Sequence, residues 1–87
     1  MAHSTVQVTV QDFAKWRSTF EKYESVRAAA GVTNPRIYRG ADNGNQVAVV
    51  FDVADKAKAQ DLVGSAQFRS IMQEAGVVGP PSVAFHD

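Results

Sequence analysis

The chain has 87 residues, 45% hydrophobic and 21% charged, with nine basic residues balanced by nine acidic ones and no cysteine. That length makes one domain, residues 1–87, whose single core buries only about 60–70% of the unfolded surface, so a partner surface adds stability. The composition is globular rather than disordered, the zero net charge withholds the basic field that nucleic-acid binding uses, and the missing cysteines exclude disulfides, thiolate metal sites and a thiol nucleophile.

The first residues, Met1-Ala2-His3-Ser4-Thr5, lack the basic segment and apolar core of a secretion signal. No apolar run approaches the ~20 residues of a membrane-spanning helix, so the expectation is a cytoplasmic protein with no membrane partner. Val6, Val8 and Val10 then alternate with Thr5, Gln7 and Thr9, giving a strand with one apolar and one polar face. The period changes from two to 3.6 across Asp12, a candidate N-cap. Phe13, Trp16, Phe20, Tyr23 and Val26 or Ala30 form an aromatic stripe on a helix predicted over 12–30, with Arg27 near its negative end and Gly31 as its C′ residue.

Pro35 places a short second strand, 36–39, at a sheet edge. The turn-forming run from Gly40 to Asn45, containing Asn43-Gly44, joins it as a hairpin to a strand over 46–53, whose nearly continuous apolar stretch suits a central position. Asp55 caps a second helical region that breaks at Gly64-Ser65; Ser65 caps a new piece in which Phe68, Ile71, Met72 and Ala75 recur at helical spacing, and Gly76 ends it. Mixed-sign charges on the first helix and the pair Lys56 and Lys58 read as solvated faces. The tail Gly79-Pro80-Pro81-Ser82-Val83-Ala84-Phe85-His86 starts with prolines and continues with alternation, and reads as a last edge strand.

The order β-α-β-β-α-β predicts an α+β, ferredoxin-like domain: a four-stranded antiparallel sheet with helices on one face, strands one and three central, two and four at the edges. The helix side collects Val6, Val8, Val10, Val47, Val49, Phe51, Val53, Val83, Phe85 and Ile37 as the core. The other side collects Thr5, Gln7, Thr9, Arg36, Tyr38, Gln46, Ala48, Val50, Asp52, Ser82, Ala84 and His86. That second face has no lysine or glutamate and carries small apolar residues near its middle. The expected cover is a second copy of the sheet across a two-fold axis, a homodimer enclosing a cavity lined by polar groups.

Three stretches carry a family resemblance: Val8-Thr9-Val10-Gln11-Asp12-Phe13-Ala14-Lys15-Trp16-Arg17-Ser18-Thr19-Phe20, Arg36-Ile37-Tyr38-Arg39 before an Asp/Asn-rich turn, and Met72-Gln73-Glu74-Ala75-Gly76-Val77 before Gly79-Pro80-Pro81. They resemble the dimeric α+β barrel superfamily, which includes antibiotic biosynthesis monooxygenase-like proteins, small polyketide cyclases and stress-responsive barrel proteins. The resemblance implies a dimeric α+β barrel and a cofactor-independent cyclase or monooxygenase-like enzyme acting on a small carbonyl or aromatic compound. A non-catalytic small-molecule-binding or stress-responsive dimeric module is the alternative, and a ligand-free assembly unit a third. Monooxygenase-type members pair an asparagine on the first strand with a tryptophan in the second half. Neither stands at those positions here, so no catalytic residue carries over from them.

Tyr38 and His86 are the catalytic candidates, since imidazole moves protons near neutral pH and a phenol polarises a carbonyl; the resemblance to cofactor-free cyclases implies such a pair. The plainer alternatives are a frayed terminal histidine and an interface tyrosine. Gln7, Thr9, Arg36, Val50 and Asp52 are the candidate ligand-binding residues, with a cross-strand Arg36–Asp52 ion pair as the alternative for those two. Trp16 reads as core. His3 shares the polar face with Thr5, but two histidines and scattered carboxylates do not form a metal-ligand cluster, and glycines occur singly, without a phosphate-cradling pattern. No metal and no cofactor is expected.

Overall fold

A computed structural model describes residues 2–87. Its elements are β1 Ala2–Val10, α1 Phe13–Lys22, α2 Glu24–Ala29, β2 Val32–Arg39, β3 Gln46–Val53, α3 Lys56–Val63, α4 Ala66–Glu74 and β4 Val77–His86. The sheet is antiparallel throughout, in the order β2-β3-β1-β4, so the first and third strands are central as the chain order requires. No helix among the described residues is long and apolar enough to cross a membrane.

β1 begins earlier than the valine alternation indicates. Ala2, His3 and Ser4 pair with Val53, Asp52 and Phe51 on β3, and Ser4 occupies an inward position at 4% exposure. A polar residue in a core slot hides the period that would reveal the strand. β2 also starts before Pro35, because its pairing with β3 shifts between Thr33 and Arg36, where Asn34 takes a left-handed φ of 53°. That irregularity absorbs a proline which cannot donate to the ladder.

The helix predicted over 12–30 is two helices. Tyr23, at φ −102° and ψ 20°, ends α1 and precedes α2. Arg27 reaches back and donates to the carbonyl of Phe20, one of the acceptors left free at the end of α1, so the break is satisfied locally. Asp12 accepts from the Ala14 and Lys15 amides at 2.9 and 3.3 Å, Asp55 from Lys58 at 3.1 Å and Ser65 from Phe68 at 3.1 Å. Gly31 and Gly76 end α2 and α4 at φ 75° and 76°, a left-handed conformation that suits glycine.

The core lies where the aromatic stripe of α1 meets the inward valines of β1 and β3. Phe13, Trp16, Phe20 and Phe51 form a ladder with successive ring centroids 5.7, 4.9 and 6.0 Å apart. Val8, Val10, Val47, Val49 and Ala75 are buried around Trp16, whereas Val6, Ile37, Val83 and Phe85 are only half-buried. Replacing Asp12 by alanine removes the cap that starts α1. It is expected to cost about 1 kcal/mol and to lower the thermal midpoint by about 4–8 °C, read by circular dichroism; an unchanged midpoint would show that tertiary packing alone holds the helix start.

Candidate functional site

Two concavities flank the sheet. The first is a cavity of about 80 Å³ on the helix side, between the sheet and both helix pairs. Its wall is almost wholly apolar, with Val6 and Phe51 from the sheet, Trp16 and Phe20 from α1, and Phe68 and Met72 from α4. The polar residues reaching it are Ser4, Thr19, Tyr23 and Arg27. Arg27 is already committed, its guanidinium 3.7 Å from the centre of the Phe20 ring. Tyr23 turns its hydroxyl to Glu74 at 2.6 Å, which leaves Ser4 and Thr19 as the hydroxyl-bearing residues of the wall, and no imidazole or carboxylate lines the space.

None of the residues that sequence reasoning selected faces this cavity, and its polar residues were missed. A signal for two of them is present in the sequence: Ser4 continues the inward series of Val6, Val8 and Val10, and Thr19 adjoins the stripe beside Phe20.

The second concavity, about 360 Å³, is an open groove on the helix-free face, where Gln7 and Thr9 of β1 meet Tyr38 of β2 and Gln46 and Ala48 of β3. Tyr38 is 58% exposed and Val78, on the groove's other wall, 51%. At the opposite end of the same face a polar network is centred on Asp52. Asn34 Nδ2 donates to its Oδ2 at 3.0 Å, and Arg36 donates to Oδ1 at 3.1 Å. His3 Nδ1 lies 3.1 Å from the same Oδ1. His86 stands directly across β1 from His3, its Nε2 3.3 Å from the Thr5 hydroxyl.

The candidates thus fall into two groups on one face: Gln7, Thr9 and Tyr38 at the groove, Arg36, Asp52 and His86 at the network, with Val50 beside Thr5 and Arg36 in the register. Arg36 and Asp52 form the cross-strand ion pair. Tyr38 and His86 are not brought together within the chain. They occupy the two edge strands at registers four residues apart, which places their backbones roughly 20 Å apart. His3, set aside in the sequence because two histidines and scattered carboxylates form no metal-ligand cluster, lies within β1 and beside Asp52. Among the described residues no group of three or more histidine, aspartate or glutamate side chains is placed to hold a metal ion.

No family model matches the chain, and no curated protein matches it in sequence. Solved structures do match in shape. A protein from Bordetella bronchiseptica assigned by inference to the antibiotic biosynthesis monooxygenases superposes with a TM-score of 0.79 at 16% identity, covering 99% of this chain and 94% of that one. SnoaB, a cofactor-independent oxygenase from Streptomyces nogalater, gives 0.74 at 13% identity, covering 99% and 90%. Rv0793 from Mycobacterium tuberculosis gives 0.68 at 13% identity, covering 99% and 92%. The chain has the ferredoxin-like α+β fold of the antibiotic biosynthesis monooxygenase-like proteins, and at these identities the likeness is one of fold.

Asp52 has a distinct pH signature. Hydrogen bonds from Asn34 and Arg36, with the charge of Arg36 and the contact from His3, hold its carboxyl below its ordinary value. Its contribution to stability is present in full above the unfolded value of about 3.9 and is lost as pH falls through the lower folded value. The urea midpoint of the parent is expected to exceed that of Asp52→Asn at pH 7, and the two to converge in acid. A gap that persists unchanged at low pH would show that the charge of Asp52 is not what the network uses.

Proposed function

We propose that the chain is a homodimer joined through its helix-free sheet face, and that each subunit holds a small apolar or aromatic carbonyl compound between its sheet and its helices. The apolar cavity carries this reading. A core of this size would otherwise close on itself, and instead it leaves a space edged by the hydroxyl-bearing residues Ser4 and Thr19. At about 80 Å³ the space is smaller than the ~150 Å³ cavity that accepts benzene. The ligand class is accordingly a single ring or short chain with one carbonyl or hydroxyl, taken up as the helices part. The apolar wall desolvates the guest, and hydroxyls orient its polar group.

The dimer rests on the other face. Tyr38 and Val78 are its large exposed apolar groups, and Ala48, Val50 and Ala84 run between them and the Asp52 network. Packing against a second copy removes these residues from water and places like polar groups around a two-fold axis. The protein is expected to run at twice the 9.4 kDa of the chain, and Val50→Lys to run as a monomer. A parent monomer at micromolar concentration would overturn the dimer.

Cofactor-independent cyclase or monooxygenase-like turnover is the second reading, favoured by the histidine and carboxylate of the Asp52 network. In it Tyr38 and His86 transfer protons, while Gln7, Thr9, Arg36, Val50 and Asp52 hold the compound between the two sheets. The separation of Tyr38 from His86 in one subunit then requires that each pair be assembled from two subunits. A non-catalytic binding or stress-responsive module uses the helix-side cavity alone.

Trp16, the only tryptophan, lies on the cavity wall and reports on its contents. Its emission is expected to change saturably with benzaldehyde, a single ring with one carbonyl, and Val63→Phe, which fills the space, to weaken binding by about tenfold, or ~1.4 kcal/mol. Equal affinity in the filled variant would exclude the cavity as the site. On the second reading Tyr38→Phe and His86→Ala lose turnover of an identified substrate; parental rates in both would end it.

A further inference from the structure

One row of side chains crosses the helix-free face at its polar end. β1 lies between β3 and β4, and its His3 stands opposite Asp52 on one side and His86 on the other. Directly opposite residues of an antiparallel pair bring their side chains within reach of each other. The pairing shift in β2 adds two more groups, since Asn34 and Arg36 both reach Asp52 from its far side. His3 is near the chain start, yet ladders on both flanks hold it in place.

The bonds around Asp52 decide which nitrogen of His3 carries the proton. Hydrogen bonds from Asn34 and Arg36 keep the Asp52 carboxyl below its ordinary value, so near neutral pH it is a carboxylate and can only accept. His3 Nδ1, 3.1 Å from Oδ1, is therefore the donor, and in the neutral ring Nε2 keeps its lone pair. The imidazole is 45% exposed, which leaves room for a compound to reach it. The other candidates lack such a device. His86 meets the Thr5 hydroxyl, which can donate or accept and so fixes no tautomer, and Tyr38 stands exposed at the other end of the face.

We propose that His3 is the general base of the helix-free face, acting through Nε2, and that Asp52 is its positioning residue. The inference rests on the second reading above, in which a compound lies against this face, and it moves the proton acceptor from His86 to His3. The substrate class is a carbonyl compound with a weakly acidic C–H beside the carbonyl. His3 Nε2 takes that proton, the C–H electron pair passes to the carbonyl oxygen as an enolate, and return of the proton from Nε2 to the oxygen completes a tautomerisation. No oxidant, reductant or further reactant enters. While Nε2 holds the proton, Nδ1–H stays on Asp52, whose negative charge faces the new imidazolium.

Turnover of 5-nitrobenzisoxazole by the full chain tests this, because a base that removes its ring C–H proton opens the ring: the C–H electron pair forms the nitrile, the N–O bond breaks and a coloured phenolate is released. The parent is expected to exceed an equal concentration of free imidazole by about 100-fold. His3→Gln is expected to lose this acceleration, and Glu21→Gln, at the exposed Arg17–Glu21 pair of α1, to keep it. Nitrogen NMR of the isotope-labelled chain reads the orienting role: His3 is the Nδ1–H tautomer in the parent and a mixture of both in Asp52→Ala, with the rate several-fold lower. An Nε2–H tautomer in the parent overturns the proposal, and this readout needs no variant to fold. The parental rate in His3→Gln also overturns it, and loss in His86→Ala alongside leaves the second reading standing with His86 as the base. No acceleration by the parent overturns the second reading, and the His3 base with it.

Discussion

The stacking of α1's aromatic stripe on the inward valines of β1 and β3 is the contact on which the other features of this molecule depend. Trp16 is buried between Phe13 and Phe20, and Phe20 continues the ladder onto Phe51 of the sheet. Cations cover the first and third rings, Arg39 over Phe13 at 4.1 Å and Arg27 over Phe20 at 3.7 Å. Aromatic rings bring much apolar area with few torsions to freeze, which matters in a domain too small for a large core. With α1 held in this way, the crossover from β1 to β2 fixes which face of the sheet the helices cover.

The same contact explains why the helix side is incompletely filled. The row of stacked rings does not fill the space beside it, and the wall there passes to α2, Tyr23 and residues of α4. Splitting the helix at Tyr23 turns the chain over that gap, and Arg27 both caps the broken end and roofs Phe20. A continuous helix through residue 30 would carry Val26 and Arg27 along the axis of α1. Site and fold therefore share one cause, since the break that ends α1 also brings Val26 and Arg27 to the cavity wall.

The helix-free face answers to a different constraint. Its strands carry alanine, valine, threonine and glutamine in the middle and a charged network at one end, a composition suited neither to a sealed core nor to open water. Asp52 is tolerable there because Asn34, Arg36 and His3 surround it, so the face can be covered without leaving that carboxylate unpaired.

The sequence by itself determined the element types, the caps at Asp12, Asp55 and Ser65, the stops at Gly31 and Gly76, the strand order and the side of the sheet each valine takes, because all of these follow from local period, capping chemistry and crossover rules. Even the Arg36–Asp52 pair was legible as a cross-strand alternative. What only the tertiary structure decided are the quantities set by packing between distant segments: the break at Tyr23, whose hydroxyl meets Glu74 some fifty residues away; the early start of β1, hidden by Ser4 in a core slot; the separation of Tyr38 from His86, which needs the register of all the strands; and the cavity. Periodicity tells which side chains point inward, but whether they meet is a matter of volume, and volume is summed in three dimensions.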